Sequence, residues 1–173
     1  TLSAYLFGFA FMNLFHGALA DSFGRRPVIL WGLMAFTLAS LGCALAQNVT
    51  QLIVFRAMQG LSCGAGVVVS RAIVRDIFPP TQAQKVMSQI TIFFGLAPAI
   101  APIMGGWLFV SLGWHSIFWL LTAIGLALWA VNFKMLPESL HASQRQPFSI
   151  PHLMRGYWPL CTDPRFLFLA LAS

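Results

Sequence analysis

The segment LIVFRAMQG, from Leu52 to Gly60, sets a guanidinium and a carboxamide three residues apart, at Arg56 and Gln59, inside an apolar run. Positions i and i+3 share a helical face, and Gly60 follows at i+4 as bare backbone. An arginine in hydrocarbon costs about 2.5 to 3.5 kcal/mol on insertion scales, so it belongs against a bundle interior or a water-filled cavity. A guanidinium keeps its own proton at neutral pH, but it holds a neighbouring carboxylate ionised until that carboxylate is protonated. The chemistry this invites is charge coupling, and it needs an acidic partner. Snorkelling is the alternative, because Arg56 stands about five residues, roughly 7 to 8 Å, from the expected outer end of its helix.

A second cluster of chemical groups lies in GALADSFGRRPVIL, from Gly17 to Leu30, which packs Asp21, Arg25 and Arg26 into a chain that is otherwise nearly free of charge. The four acids, Asp21, Asp76, Glu138 and Asp163, all lie in or beside the segments that carry the bases. None falls inside an apolar run, so a membrane-embedded proton carrier is expected in sequence outside this chain. A third feature, GLAPAIAPIMGGWL from Gly95, places Pro98 and Pro102 one turn apart and follows them with Gly105 and Gly106. Proline removes a backbone hydrogen bond and kinks a helix, while small residues admit a neighbour closely. A bent, tightly packed helix is expected there.

No catalytic constellation is present in the sequence. His16, His115, His141 and His152 are scattered, without HExxH, GxSxG or paired embedded carboxylates. Cys43, Cys63 and Cys161 are odd in number and lack CxxC spacing, which fits packing residues better than a disulfide or metal set.

The elements that must position these residues follow from composition. Hydrophobic residues make up 58% of the 173 and charged ones 8%, too few to cover the exterior of a soluble domain. The formal charge of +6 does not form a basic patch beside a normal polar surface, which argues against a nucleic-acid partner. A lipid bilayer is the partner that fits. Crossing a hydrocarbon core needs about 20 apolar residues. Segments near Thr1 to Leu19, Pro27 to Ala46, Leu52 to Ser70, Val86 to Val110 and Ser116 to Phe133 meet that length, and Phe166 to Ser173 opens another. The expected fold is an all-α polytopic membrane protein.

The connecting segments alternate in charge. Arg25 and Arg26 lie in the first, Arg71, Arg75 and Lys85 in the third, and Lys134, Arg145, Arg155 and Arg165 in the fifth, while QNVT and SLGWH carry no base. Bases are retained on the cytoplasmic side, so the odd-numbered connections are expected inside. The long fifth segment, 136–165, is the candidate linker. A start inside one apolar run and a stop inside another lead to the expectation of a piece of a longer protein.

With those residues assembled, the sequence resembles the major facilitator superfamily, and within it the drug:proton antiporters of the bicyclomycin and chloramphenicol resistance type. GALADSFGRR resembles the signature G-x-L-x-D-R-x-G-R-R/K between helices 2 and 3, with Gly17, Asp21, Gly24, Arg25 and Arg26 matched and Ser22 replacing the usual base. LIVFRAMQG resembles the helix 4 signature through Arg56, Gln59 and Gly60. APIMGG resembles the helix 5 antiporter signature G-P-x-x-G-G, with Ala101 in place of its first glycine.

The resemblance implies twelve helices in two halves, each built from inverted three-helix repeats around a midplane site. Residues 1–135 would be an N-terminal half lacking its first helix, 136–165 the cytoplasmic linker, and 166–173 the start of the C-terminal half. It implies a gating network of Gly17, Asp21, Gly24, Arg25, Arg26 and Asp76 on the inner face, proton coupling through Arg56 and Gln59, and a seal shaped by Pro98 to Gly106. It also implies proton-driven efflux of small amphipathic drugs by alternating access, in a bacterial inner membrane, by a monomer without cofactors other than the proton gradient. An exporter of the same fold for a metabolite, an amino acid or a nucleoside, and a non-transporting membrane remnant are the alternatives.

Overall fold

The computed structural model describes residues 1–140 and residue 145. Five helices follow one another: α1 (Leu2–Phe23), α2 (Arg25–Ala44), α3 (Val49–Ile77), α4 (Pro80–Leu112) and α5 (His115–Met135). Each is long and apolar enough to cross a bilayer. The sixth run, 166–173, and most of the linker, 136–165, lie outside the described residues.

The helices run past the apolar segments that announce them, most clearly at the base-rich end. α3 continues to Ile77 instead of Ser70, and α4 starts at Pro80 instead of Val86. Hydropathy marks only the hydrocarbon-spanning part, whereas backbone hydrogen bonding carries a helix on into the headgroup layer. At its other end α3 starts early because the Asn48 side chain accepts a hydrogen bond from the Gln51 amide at 2.9 Å, satisfying an orphan donor of the first turn. Gln51 Oε1 reciprocates by accepting from the Gln47 amide.

α3 is the central element, packed on α1 and α2, and α2 in turn packs on α5. Glycines set these approaches. A Cβ added at Gly8 of α1 would lie 2.7 Å from the Ala57 carbonyl oxygen of α3, and one at Gly60 of α3 would collide with the Tyr5 backbone of α1. At the α2–α5 contact, a Cβ on Gly125 would meet Thr37 Oγ1 at 2.5 Å. Such small-residue seams are how helices associate where lipid removes the hydrophobic drive between them. Burial is correspondingly inverted from a soluble fold: Gln59 is 1% exposed and Ser40 fully buried, while Phe7, Ile103 and Val110 lie on the surface.

α4 stands apart. It runs through Pro98 and Pro102, and of its residues only Ala83 is buried. The close packing expected at Gly105 and Gly106 is not made among the described residues, where the space beside both glycines is open. The same holds for Gly66 of α3, in contrast to Gly60 and Gly64.

Candidate functional site

Arg56 sits in the eighth position of α3, about 10 Å of helical rise from Val49. Its Nη1 donates to Gln59 Oε1 at 2.8 Å, and Gln59 Nε2 donates onward to Ser40 Oγ at 2.7 Å. Ser40 closes the chain by donating to the Phe36 carbonyl of its own helix at 2.7 Å. Two rings complete the surroundings, Tyr5 of α1 at 5.1 Å and Phe118 of α5 at 5.5 Å from the guanidinium carbon. The cation therefore stands among groups from α1, α2, α3 and α5, held by a carboxamide and by ring faces whose negative quadrupoles attract it. Among the described residues no carboxylate lies within 4 Å of it. Its direct partners are thus the carboxamide of its own helix and one ring each from α1 and α5.

The second constellation forms where α1, α2 and α3 end together. The Arg25 side chain, 11% exposed, bridges two carboxylates: Nη1 to Asp21 Oδ1 at 2.5 Å and Nε to Asp76 Oδ2 at 3.2 Å. Asp21 is one helical turn before Arg25 in number but belongs to α1, because Gly24 alone separates α1 from α2. Gly24 has φ 102° and ψ 156°, a region that is essentially glycine's own. Ser22, where the resembled signature has a base, turns its hydroxyl back to the Ala18 carbonyl. Gly17 packs loosely on Val68, 3.8 Å from where its Cβ would be.

Glu138 is the participant that the sequence reading left unassigned. Its Oε1 accepts from the Arg25 amide at 2.9 Å and its Oε2 from the Arg26 amide at 3.3 Å. A helix start exposes orphan N–H groups, and Gly24 offers no side chain to cap them. Pro27 has no N–H, so Glu138 satisfies both donors of the first three positions, and its charge suits the positive end of the helix dipole. Arg145 lies 3.8 Å from the same carboxylate, and Ser139 Oγ donates to Asp76 at 3.2 Å. Arg26 points elsewhere: Nη2 donates to the Phe133 carbonyl in the last turn of α5 at 2.8 Å. The lack of any capping side chain at Gly24 was the available signal that an acceptor had to arrive from a distant segment.

The structure thus brings Asp21, Arg25 and Asp76 into one network and Arg56 and Gln59 into another, while Pro98, Pro102, Gly105 and Gly106 join neither. An apolar cleft of about 560 Å³ opens between α1, α2 and α3, walled by Met12, Trp31 and Met58, and Arg56 does not line it. Among the described residues no group of three or more His, Cys, Asp or Glu is placed to hold a metal ion.

An all-helical bundle of membrane-length helices, with a half-buried arginine on a buried glutamine and a charge network at one end, defines a polytopic membrane protein of partial-bundle form. The chain belongs to the Major Facilitator Superfamily, whose pattern matches residues 1–173. It is 38% identical over 157 residues to a bicyclomycin resistance protein homolog of Haemophilus influenzae, covering 91% of this chain and 39% of that one. It is 36% identical over 141 residues to the multidrug resistance protein MdtL of Escherichia coli, covering 82% and 36%. The crystal structure of the human organic anion transporter MFSD10 superposes with a TM-score of 0.74 at 28% identity, covering 90% of this chain and 38% of that one. The chain spans about two fifths of the length of these relatives.

Proposed function

We propose that this chain is the N-terminal part of a proton-coupled exporter of small amphipathic drugs, working by alternating access in a bacterial inner membrane. Residues 1–135 supply one half of the transporter and 136–165 the cytoplasmic link to the other, which starts at 166–173. The observation that carries this reading is Arg56, a half-buried cation with neutral partners and no carboxylate beside it among the described residues. In the cycle, an acidic group from the rest of the bundle is held ionised by Arg56 and is released from it when protonated, which biases one conformation. Asp21, Arg25 and Asp76 hold the inner end closed in the outward-open state, and Pro98 to Gly106 shape α4 against a partner helix. The protein works as a monomer, with the proton gradient as its energy source.

Similarity to two drug-resistance proteins supports the drug substrate. Export of a carboxylate-bearing metabolite such as an amino acid is the second reading, favoured by the same guanidinium, which would pair with the substrate's own carboxylate.

The test is efflux from cells carrying the full-length Arg56→Ala protein at normal membrane levels. Loss of proton-dependent export is expected. Unchanged coupling would sink the role given to Arg56, and export of amino acids without drugs would favour the second reading.

A further inference from the structure

Arg25 and Arg26 are neighbours with different fates. The Arg25 guanidinium is neutralised by two carboxylates, whereas among the described residues none lies within 4 Å of the Arg26 guanidinium, Glu138 meeting only its backbone amide. One arm of the Arg26 guanidinium reaches the Phe133 carbonyl, its face lies 5.8 Å from the Phe133 ring, and its Nε is buried without an acceptor. A buried donor on a charged group is costly to leave unpaired. The arginine stands in the lining of an apolar groove of about 420 Å³ between α2 and α5, whose walls include Leu30, Trp31, Met34, Trp129 and Phe133. This groove faces outward, with Trp31 75% exposed. Lys134, in the last turn of α5, adds a second base beside Phe133.

We infer that the α2–α5 groove is a binding site for one anionic phospholipid, its phosphate on the Arg26 guanidinium and an acyl chain along Leu30, Met34 and Trp129. Charge selects the headgroup: an uncompensated arginine at a membrane surface favours an anionic lipid over a zwitterionic one, and basic pockets between transmembrane helices bind such headgroups. Length fits the chain, because Arg26 to Met34 spans about 12 Å of helix, close to the roughly 15 Å depth of one leaflet's hydrocarbon. Two tryptophans in the walls match the preference of indole for that depth. The site rests on the membrane-spanning reading but not on drug export or proton coupling, so it stands or falls separately from them.

The experiment uses the full-length protein in vesicles containing brominated phosphatidylglycerol or brominated phosphatidylcholine at equal mole fraction. Quenching at Trp129 is isolated as the difference between the wild type and Trp129→Phe. Preferential quenching by the anionic lipid is expected, about fivefold in relative occupancy for one arginine near the surface. Arg26→Gln should remove the preference, and Leu30→Phe, which fills the groove without adding an indole, should sharply reduce quenching at Trp129 by either lipid. If Arg26→Gln does not insert, the groove-filling variant still decides. Equal quenching by both lipids in the wild type overturns the proposal, as does persistent preference in Arg26→Gln or undiminished Trp129 quenching in Leu30→Phe. So does absence of quenching by either lipid, which would mean that protein covers the groove. Relief by inorganic phosphate would assign the contact to a soluble anion and overturn the lipid.

Discussion

Arg26 and Glu138 close each other's helices. Arg26, near the start of α2, donates to the last turn of α5, and Glu138, three residues beyond α5, accepts from the first two amides of α2. Each charge meets the helix pole of opposite sign. The two helices are far apart in sequence, yet their ends are joined by a reciprocal pair that satisfies two amides of α2 and one carbonyl of α5.

Removing the acidic member should loosen this joint. Glu138→Ala is expected to lower stability by about 1 to 2 kcal/mol, the usual loss for a helix N-cap. Glu138→Gln, which keeps the acceptor oxygen but not the charge, should lose less. Thermal unfolding of the full-length protein in detergent checks this, and an Ala variant as stable as wild type would refute the capping role.

Gly24 is tied to the same joint. Its φ of 102° excludes a side chain, and a Cβ there would lie 2.6 Å from Glu138 Oε2. Gly24→Ala should therefore destabilise by about 1 to 3 kcal/mol. Combined with Glu138→Ala the effects should fall short of additive, since both act on one cap. Full additivity in a double-mutant cycle would separate the two residues.

The seam between α1 and α3 gives a contrast on a single helix. Gly60→Ala drives a methyl into the Tyr5 backbone and should cost about 1 to 3 kcal/mol, seen as less monodisperse protein after extraction. Gly66→Ala meets open space and should be silent. Equal behaviour of the two would contradict the packing.

For the network around Arg25, Asp21→Asn should leave insertion intact but slow transport about tenfold, the scale of one lost charge-assisted hydrogen bond. Asp76→Asn should act in the same direction, because both carboxylates hold one guanidinium. Uptake and efflux rates in membrane vesicles give the comparison. Normal rates in both variants would remove the network from the cycle.

What the sequence disclosed tracks what is local in the chain. The five spans are legible because lipid demands long apolar runs, and Arg56 with Gln59 because i and i+3 are neighbours on any helix. Ser40 was not, since it meets Gln59 only after α2 packs on α3. Glu138 was hidden for the same reason, its contact to Arg25 crossing 113 positions. The helix ends were misjudged where Asp21, Arg25 and Asp76 continue helical turns in polar sequence that hydropathy does not register. At Gly105 and Gly106 small residues suggested a close partner, but the described helices provide none there.

A fixed positive charge within a membrane-spanning helix also has an electrical meaning. Moving one elementary charge through the whole transmembrane field is worth about 2.3 kcal/mol per 100 mV. Any tilting of α3 in a bilayer would displace Arg56 through part of that field. With no carboxylate beside it among the described residues, that cation is, to the same extent, a voltmeter built into the helix on which α1 and α2 pack.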